Sequence, residues 1–228
     1  MKKSSKTTHP EIQYFGIFSN SFRKHVHLLI ILGHSDARQR IRSNDEEEPS
    51  ITGYIVNSIN KLFRNINSPS WLKHYVVKDD PPVESEGRVG KYRQKADIII
   101  ESTVAGRPEF VFEAKRLRQQ GYGVNKYIGA GGMGCFITGI YGSRYNETAM
   151  LGYVQSNSLR YWKSQVKDTI DKNKARLELR SVQQDIMVID EISLEWTSEH
   201  DRKAIGRPVK IYHILLDCEV KEGVNGRR

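Results

Sequence analysis

Two short apolar runs, Ile98-Ile99-Ile100 and Phe110-Val111-Phe112, flank the segment Ala105-Gly106-Arg107-Pro108, and this arrangement restricts the fold more than any other feature of the chain. β-branched and aromatic residues favour extended backbone, while glycine and proline favour a reversal. Lys95–Glu101 and Glu109–Glu113 are therefore expected as two strands of a hairpin. Asp97 stands just ahead of the first run, and Glu113 closes the second with Lys115 two residues on. On a strand, residues two apart project from one face, so Glu113 and Lys115 point together and Ala114 points the other way.

At 228 residues the chain suits one well-buried domain rather than two large ones. Its 36 Lys and Arg against 27 acids give a formal charge of +9, a balance that favours a polyanionic partner through counterion release. The two cysteines, Cys135 and Cys218, are far apart and form no CxxC pair, so no zinc site or disulfide framework is indicated, and a reducing cytoplasm is the expected location. The apolar stretch from Val26 to Leu32 is far shorter than the roughly 20 residues of a membrane helix, so no membrane partner is expected. The polar, basic opening Met1 to Thr8 lacks a signal-peptide core and is expected as a flexible tail.

The chain divides into residues 1–45, a tail with a leading strand or buried segment at His25 to Leu32; 46–156, the core; and 157–228, a helix and strands packed on the same domain. After the sign change between Arg38, Arg40, Arg42 and the acidic block Asp45 to Glu48, Pro49 opens a helix. Ile51, Ile55, Ile59, Leu62, Phe63 and Ile66 recur there at steps of three and four. A strand is expected around Tyr75-Val76-Val77, another at Ala149 to Val154, a helix over Ser158 to Lys174, and strands at Asp185 to Leu194 and Lys210 to Glu219.

Helix, strand, strand with Asp97, strand with Glu113 and Lys115, helix, strand: this order resembles the PD-(D/E)xK nuclease superfamily, the fold of many restriction endonucleases, over roughly residues 46 to 156. The resemblance implies an α/β restriction-endonuclease-like core, a central mixed β-sheet flanked by helices. It also implies Asp97 and Glu113 as ligands of Mg2+ (Mn2+ as substitute), with Lys115 as the catalytic lysine. Ala96 stands where the family pattern has proline, which touches no ligand. Family members often add an acid on the first helix; Glu48 best matches that position, as auxiliary acid and third metal residue, with Glu47 and Glu46 as alternatives. The chemistry agrees, since phosphodiester hydrolysis calls for a hard cation held by carboxylates and an ammonium to orient water and offset developing charge.

Composition alone yields about two acid-x-lysine triplets in such a chain. Three occur. Asp201-Arg202-Lys203 reads as a solvated charge run, and Glu219-Val220-Lys221 has only seven residues after it in this sequence, too few for a following helix and strand. Gly129 to Gly134 matches GxGxxG spacing without the strand before it that a dinucleotide loop requires. Four glycines in six residues instead suggest close approach of a neighbouring helix or a nucleic-acid backbone. His25, His27 and His34 are expected as surface or strand residues rather than metal ligands, and Trp71, Tyr92, Tyr122, Tyr127 and Tyr145 as packing residues first and base-stacking ones second.

The expected protein is a Mg2+-dependent endonuclease acting on DNA, with RNA as the alternative substrate, using Glu48, Asp97, Glu113 and Lys115. Lys91, Arg93, Lys95, Arg116 and Arg118 are the expected phosphate contacts. The resemblance implies a role in prokaryotic defence against foreign DNA, and a homodimer or a targeting subunit is expected because no separate recognition domain is evident. A non-catalytic nucleic-acid-binding or assembly subunit of the same fold is the competing expectation.

Overall fold

A computed structural model describes residues 11–83, 93–104 and 106–221, with side chains from Asn20 onward. Seven strands form one mixed sheet in the order β1-β2-β3-β4-β7-β6-β5. Tyr75–Asp79 (β1), Ile98–Ser102 (β2) and Glu109–Leu117 (β3) form an antiparallel meander; Glu147–Val154 (β4) runs parallel to β3, and Val209–Asp217 (β7) parallel to β4. Trp196–His200 (β6) and the two-residue Gln184–Asp185 (β5) complete it antiparallel. The expected hairpin is β2-β3, and Gly106 at φ +86° supplies the left-handed backbone its turn needs. Because β7 and β6 extend the sheet that β1–β4 begin, the C-terminal segment belongs to the same unit.

Helices cover both faces, which is why the central strands β3, β4 and β7 are buried almost throughout. On one face lie Glu11–Ala37 (α1) and Glu48–Arg64 (α2), packed on Ile98, Ile100, Phe110, Phe112 and Ala114. On the other lie Val124–Tyr127 (α3), Met133–Ile137 (α4) and Leu159–Lys172 (α5), packed on Ile99, Val111 and Leu117. The alternation along β3 thus assigns Glu113 and Lys115 to the α3–α5 face.

α2 begins where Pro49 predicts and buries Ile51, Ile55, Val56 and Ile59; Asn65 caps it, so Ile66 falls outside and is 95% exposed instead of joining the stripe. α5 starts at Ser158, whose hydroxyl accepts from the Tyr161 amide, and buries Trp162, Val166 and Ile170.

Two expected strands are corrected. His25 to Leu32 is not a leading strand but part of α1: Phe22, Val26, Leu29, Ile30 and Ala37 fall on one helical face and are buried. Gly33 lets that face cross α2, since a Cβ there would lie 2.7 Å from Ile59 Cγ1. Asp185 to Leu194 contributes only its first residue to β5, and the longer strand is β6, displaced toward the C-terminus. The inward side chains of β6 are largely polar, and hydrogen bonds satisfy them. Ser198 Oγ lies 2.7 Å from His200 Nε2 and 2.8 Å from His213 Nε2, while His213 Nδ1 lies 3.1 Å from the Tyr127 hydroxyl.

Candidate active site

Ile98 pairs with Phe112, so the next step of that antiparallel register sets Asp97 opposite Glu113. Asp97 Oδ2 accepts from the Ala114 amide at 2.6 Å, which holds the first carboxylate against the second strand. Lys115 Nζ donates to Glu113 Oε1 at 2.9 Å, to Glu48 Oε1 at 2.9 Å and to the Ala114 carbonyl at 2.6 Å. The other oxygen of Glu48 accepts from the Arg116 amide at 3.0 Å. Four residues expected from three separate stretches of sequence therefore meet at one place. Glu48 sits in the first turn of α2, where the helix dipole favours a carboxylate.

Glu48 is the acid that reaches Lys115. Glu47 is largely exposed and pairs with Arg116 Nη2 at 2.9 Å, and Glu46 accepts from the Tyr54 hydroxyl at 3.3 Å.

The electrostatics of the cluster are strained. Glu113 is 5% exposed, and its Oε2 is buried with no hydrogen-bond partner among the described residues. Burial first, and then the neighbouring Asp97 charge, raise the Glu113 pKa to about 8 against the pull of Lys115. Burial likewise raises Asp97 to about 6. Burial works against the Lys115 ammonium, but Glu113, Glu48 and Asp97 outweigh it and hold the lysine above its ordinary range. One ammonium thus serves three carboxylates, and the pair on β2 and β3 retains an unmet demand for positive charge.

That demand fits a hard, oxygen-seeking cation at Asp97 and Glu113, the orphaned Glu113 Oε2 being the specific observation. Among the described residues no group of three or more His, Cys, Asp or Glu is arranged to hold an ion. Glu48, expected as a third metal residue, instead spends both oxygens on Lys115 and the Arg116 amide, so its part here is to position the lysine.

The expected phosphate contacts divide. Arg93 and Lys95 are exposed, the latter paired with Asp80, and Lys91 lies outside the described residues. Arg116 is a correction: it is 5% exposed and donates through Nη1 to the carbonyls of Asp45 and Glu46 at 3.3 and 3.1 Å. Arg118 is partly exposed, bonded to the Asn44 carbonyl at 3.3 Å and paired with Asp45. Both arginines tie down the segment leading into Glu48, because unpaired backbone carbonyls there need donors.

A cleft of about 520 Å3 opens beside this cluster, lined by residues that include Glu48, Lys115, Tyr122, Lys126 and Gly131. Asp97 and Glu113 are not among its lining residues, so Lys115 links the cleft to the acid pair. The glycine run forms one wall. A Cβ at Gly129 or Gly132 would come within 2.8 or 2.2 Å of the Asn125 or Tyr127 carbonyl oxygen of α3, and one at Gly134 within 2.7 Å of the Gly129 oxygen, whereas Gly131 faces open space. The close approach is thus to the backbone of the neighbouring helix α3 and, at Gly134, of the run to itself, and α3 instead of a strand precedes it.

The other candidates resolve as packing. Tyr127 is buried, Tyr145 donates to Glu109 at 3.0 Å, Trp71 stacks on His25, and Tyr92 lies outside the described residues. His27 is buried on α1 with Nε2 2.8 Å from Glu195 Oε1, a close contact without hydrogen-bond alignment. Arg202 is not solvated as its triplet suggested: it is fully buried and donates to the carbonyls of Gly142, Tyr145, Arg207 and Pro208. Val220, in the rival triplet, is held by Asn44. Sequence reasoning missed Lys126 as a cleft residue, although its place eleven residues after Lys115 and beside the glycine run was a usable signal. Comparison with family models, with curated proteins and with solved structures found no match to this chain.

Proposed function

We propose that the protein is a metal-dependent nuclease of the PD-(D/E)xK type, hydrolysing phosphodiester bonds of DNA. The observation that carries this reading is the Lys115 ammonium, bonded to Glu113 and Glu48 within a cluster whose second buried acid, Asp97, lies on the adjoining strand. The element order α2, β1, β2, β3, α3 with α4, β4, with β3 and β4 parallel, supports the restriction-endonuclease-like core.

Asp97 and Glu113 are the residues that would hold Mg2+ or Mn2+, which supplies phosphate polarisation and a more acidic attacking water. Lys115 orients that water and offsets charge on the phosphoryl oxygens. Glu48 holds the lysine in place, and the 44–47 segment, pinned by Arg116 and Arg118, holds Glu48. Defence against foreign DNA in a prokaryotic cell, and a second copy or another subunit to select the target, follow from the same reading.

A second reading has its own observation: all three Lys115 donors are already satisfied within the chain, as in a purely structural ion pair. Under it the protein binds nucleic acid without turnover. Linear, circular and single-stranded DNA, and RNA, incubated with Mg2+, Mn2+ or EDTA separate the two. Metal-dependent cleavage of DNA supports the nuclease; tight binding with no cleavage under any of these conditions supports the second reading, and cleavage of RNA alone changes the substrate.

A further inference from the structure

The cleft beside Lys115 carries three cations, and their surroundings differ. Lys115 is bonded to Glu48 and Glu113, and Arg116 to two backbone carbonyls and Glu47. Lys126, at the end of α3, is exposed and has no carboxylate partner among the described residues. Its ammonium instead stands 4.5 Å from the centroid of the Tyr122 ring, whose centroid also lies 3.7 Å from the Arg116 guanidinium. The ring thus holds Lys126 at the cleft without neutralising it. Beyond the lysine, Ala130 and Gly131 are exposed along the same cleft, and their amides make no hydrogen bond among the described residues. A free ammonium and two free amides along one cleft wall suit a phosphate oxygen.

We infer that Lys126, with the wall at Ala130 and Gly131, binds the backbone phosphate of a nucleic-acid strand next to the bond cut at the Lys115 cluster. This rests on the nuclease reading for the neighbouring site, and its ligand is a polynucleotide of either sugar. The contact is to the backbone, so it carries affinity and register rather than base specificity. Gly131 is the only position on this wall where a Cβ would meet nothing and whose backbone is outside the left-handed range, so a side chain there is tolerated by the fold and projects into the open cleft.

The test is fluorescence anisotropy with labelled 30-mer DNA duplex, DNA single strand and RNA, in EDTA and again with Ca2+, across a salt series. Lys126→Gln is expected to weaken binding about 3- to 10-fold near 0.1 M salt and to reduce the log–log salt slope by about 1, while Lys126→Arg restores both. Gly131→Asp, folded by circular dichroism, is expected to weaken binding further by placing a carboxylate against the phosphate. Which probe binds best assigns the sugar and strandedness. Unchanged affinity and slope in Lys126→Gln and Gly131→Asp overturn the inference, as does a wild-type protein that binds none of the probes. Cleavage with Mg2+ but no effect of Lys126→Gln on binding overturns this inference alone; loss of binding in Lys126→Gln without cleavage by wild type under any metal overturns only the nuclease reading.

Discussion

Replacing Glu113 by glutamine removes a carboxylate that burial and Asp97 disfavour while keeping the shape and the oxygen that accepts from Lys115. The folded protein binds the Glu113 proton more tightly than the unfolded chain does, with a pKa of about 8 against an ordinary 4.5. The stabilising contribution of this proton is complete below the unfolded value and is lost as the pH rises through about 8. At pH 7 the ionisable side chain therefore costs about 3 kcal/mol relative to a neutral isostere, and at pH 5 less than about 1 kcal/mol. Glu113→Gln is expected to be more stable than wild type by about that amount in EDTA at pH 7. For a chain of this length, roughly 6–12 °C in Tm corresponds to that difference. Denaturation by urea and by heat from pH 5 to 8.5 measures it. The gain is expected to shrink toward pH 5, and added Mg2+ is expected to stabilise wild type but not the variant. A Gln variant less stable than wild type at pH 7 would show that the Lys115 attraction outweighs burial, and would refute the account of an under-neutralised acid pair.

Other consequences concern the scaffold. His27→Leu leaves the fully buried Glu195 carboxylate without the ring beside it, and is expected to lower stability by about 3–5 kcal/mol in urea denaturation, with Glu195→Gln in the same chain recovering much of the loss. Arg116→Met strands the carbonyl of Asp45 and leaves that of Glu46 to Gln155 alone, at an expected cost of about 1–3 kcal/mol, and loosens the segment before Glu48. Its cleavage rate is expected to fall more than its affinity for DNA, because Arg116 acts on the placement of Glu48 and Lys115; equal losses in rate and affinity would instead make it a phosphate contact.

The hairpin, α2, α5 and the four-residue cluster were legible because their signals are local: apolar period, a turn with glycine and proline, and acids at the edges of apolar runs. Where signals came from distant partners, the reading failed. Val26 to Leu32 is dense enough in apolar residues to pass for a strand. Only the wider spacing from Phe22 to Ala37 reveals the helix, and its partner face is on α2. β6 was missed because Thr197, Ser198 and His200 look solvent-facing until the residues that bond to Ser198 and His200, from β7 and the stretch after α5, are in place. Arg116 resembled a phosphate ligand, since charge in a sequence does not reveal that backbone carbonyls some 70 residues earlier claim it. The same limitation concealed Lys126, whose availability is defined by the absence of an acid near it in space among the described residues.

The central claim, that the Lys115 cluster hydrolyses phosphodiesters, is tested most directly by single-turnover cleavage of DNA across a Mg2+ titration, with wild type, Asp97→Asn and Lys115→Ala each verified as folded. Metal-dependent cutting by wild type, reduced at least about 100-fold in both variants, is the predicted result. Cutting that survives in both folded variants would contradict it.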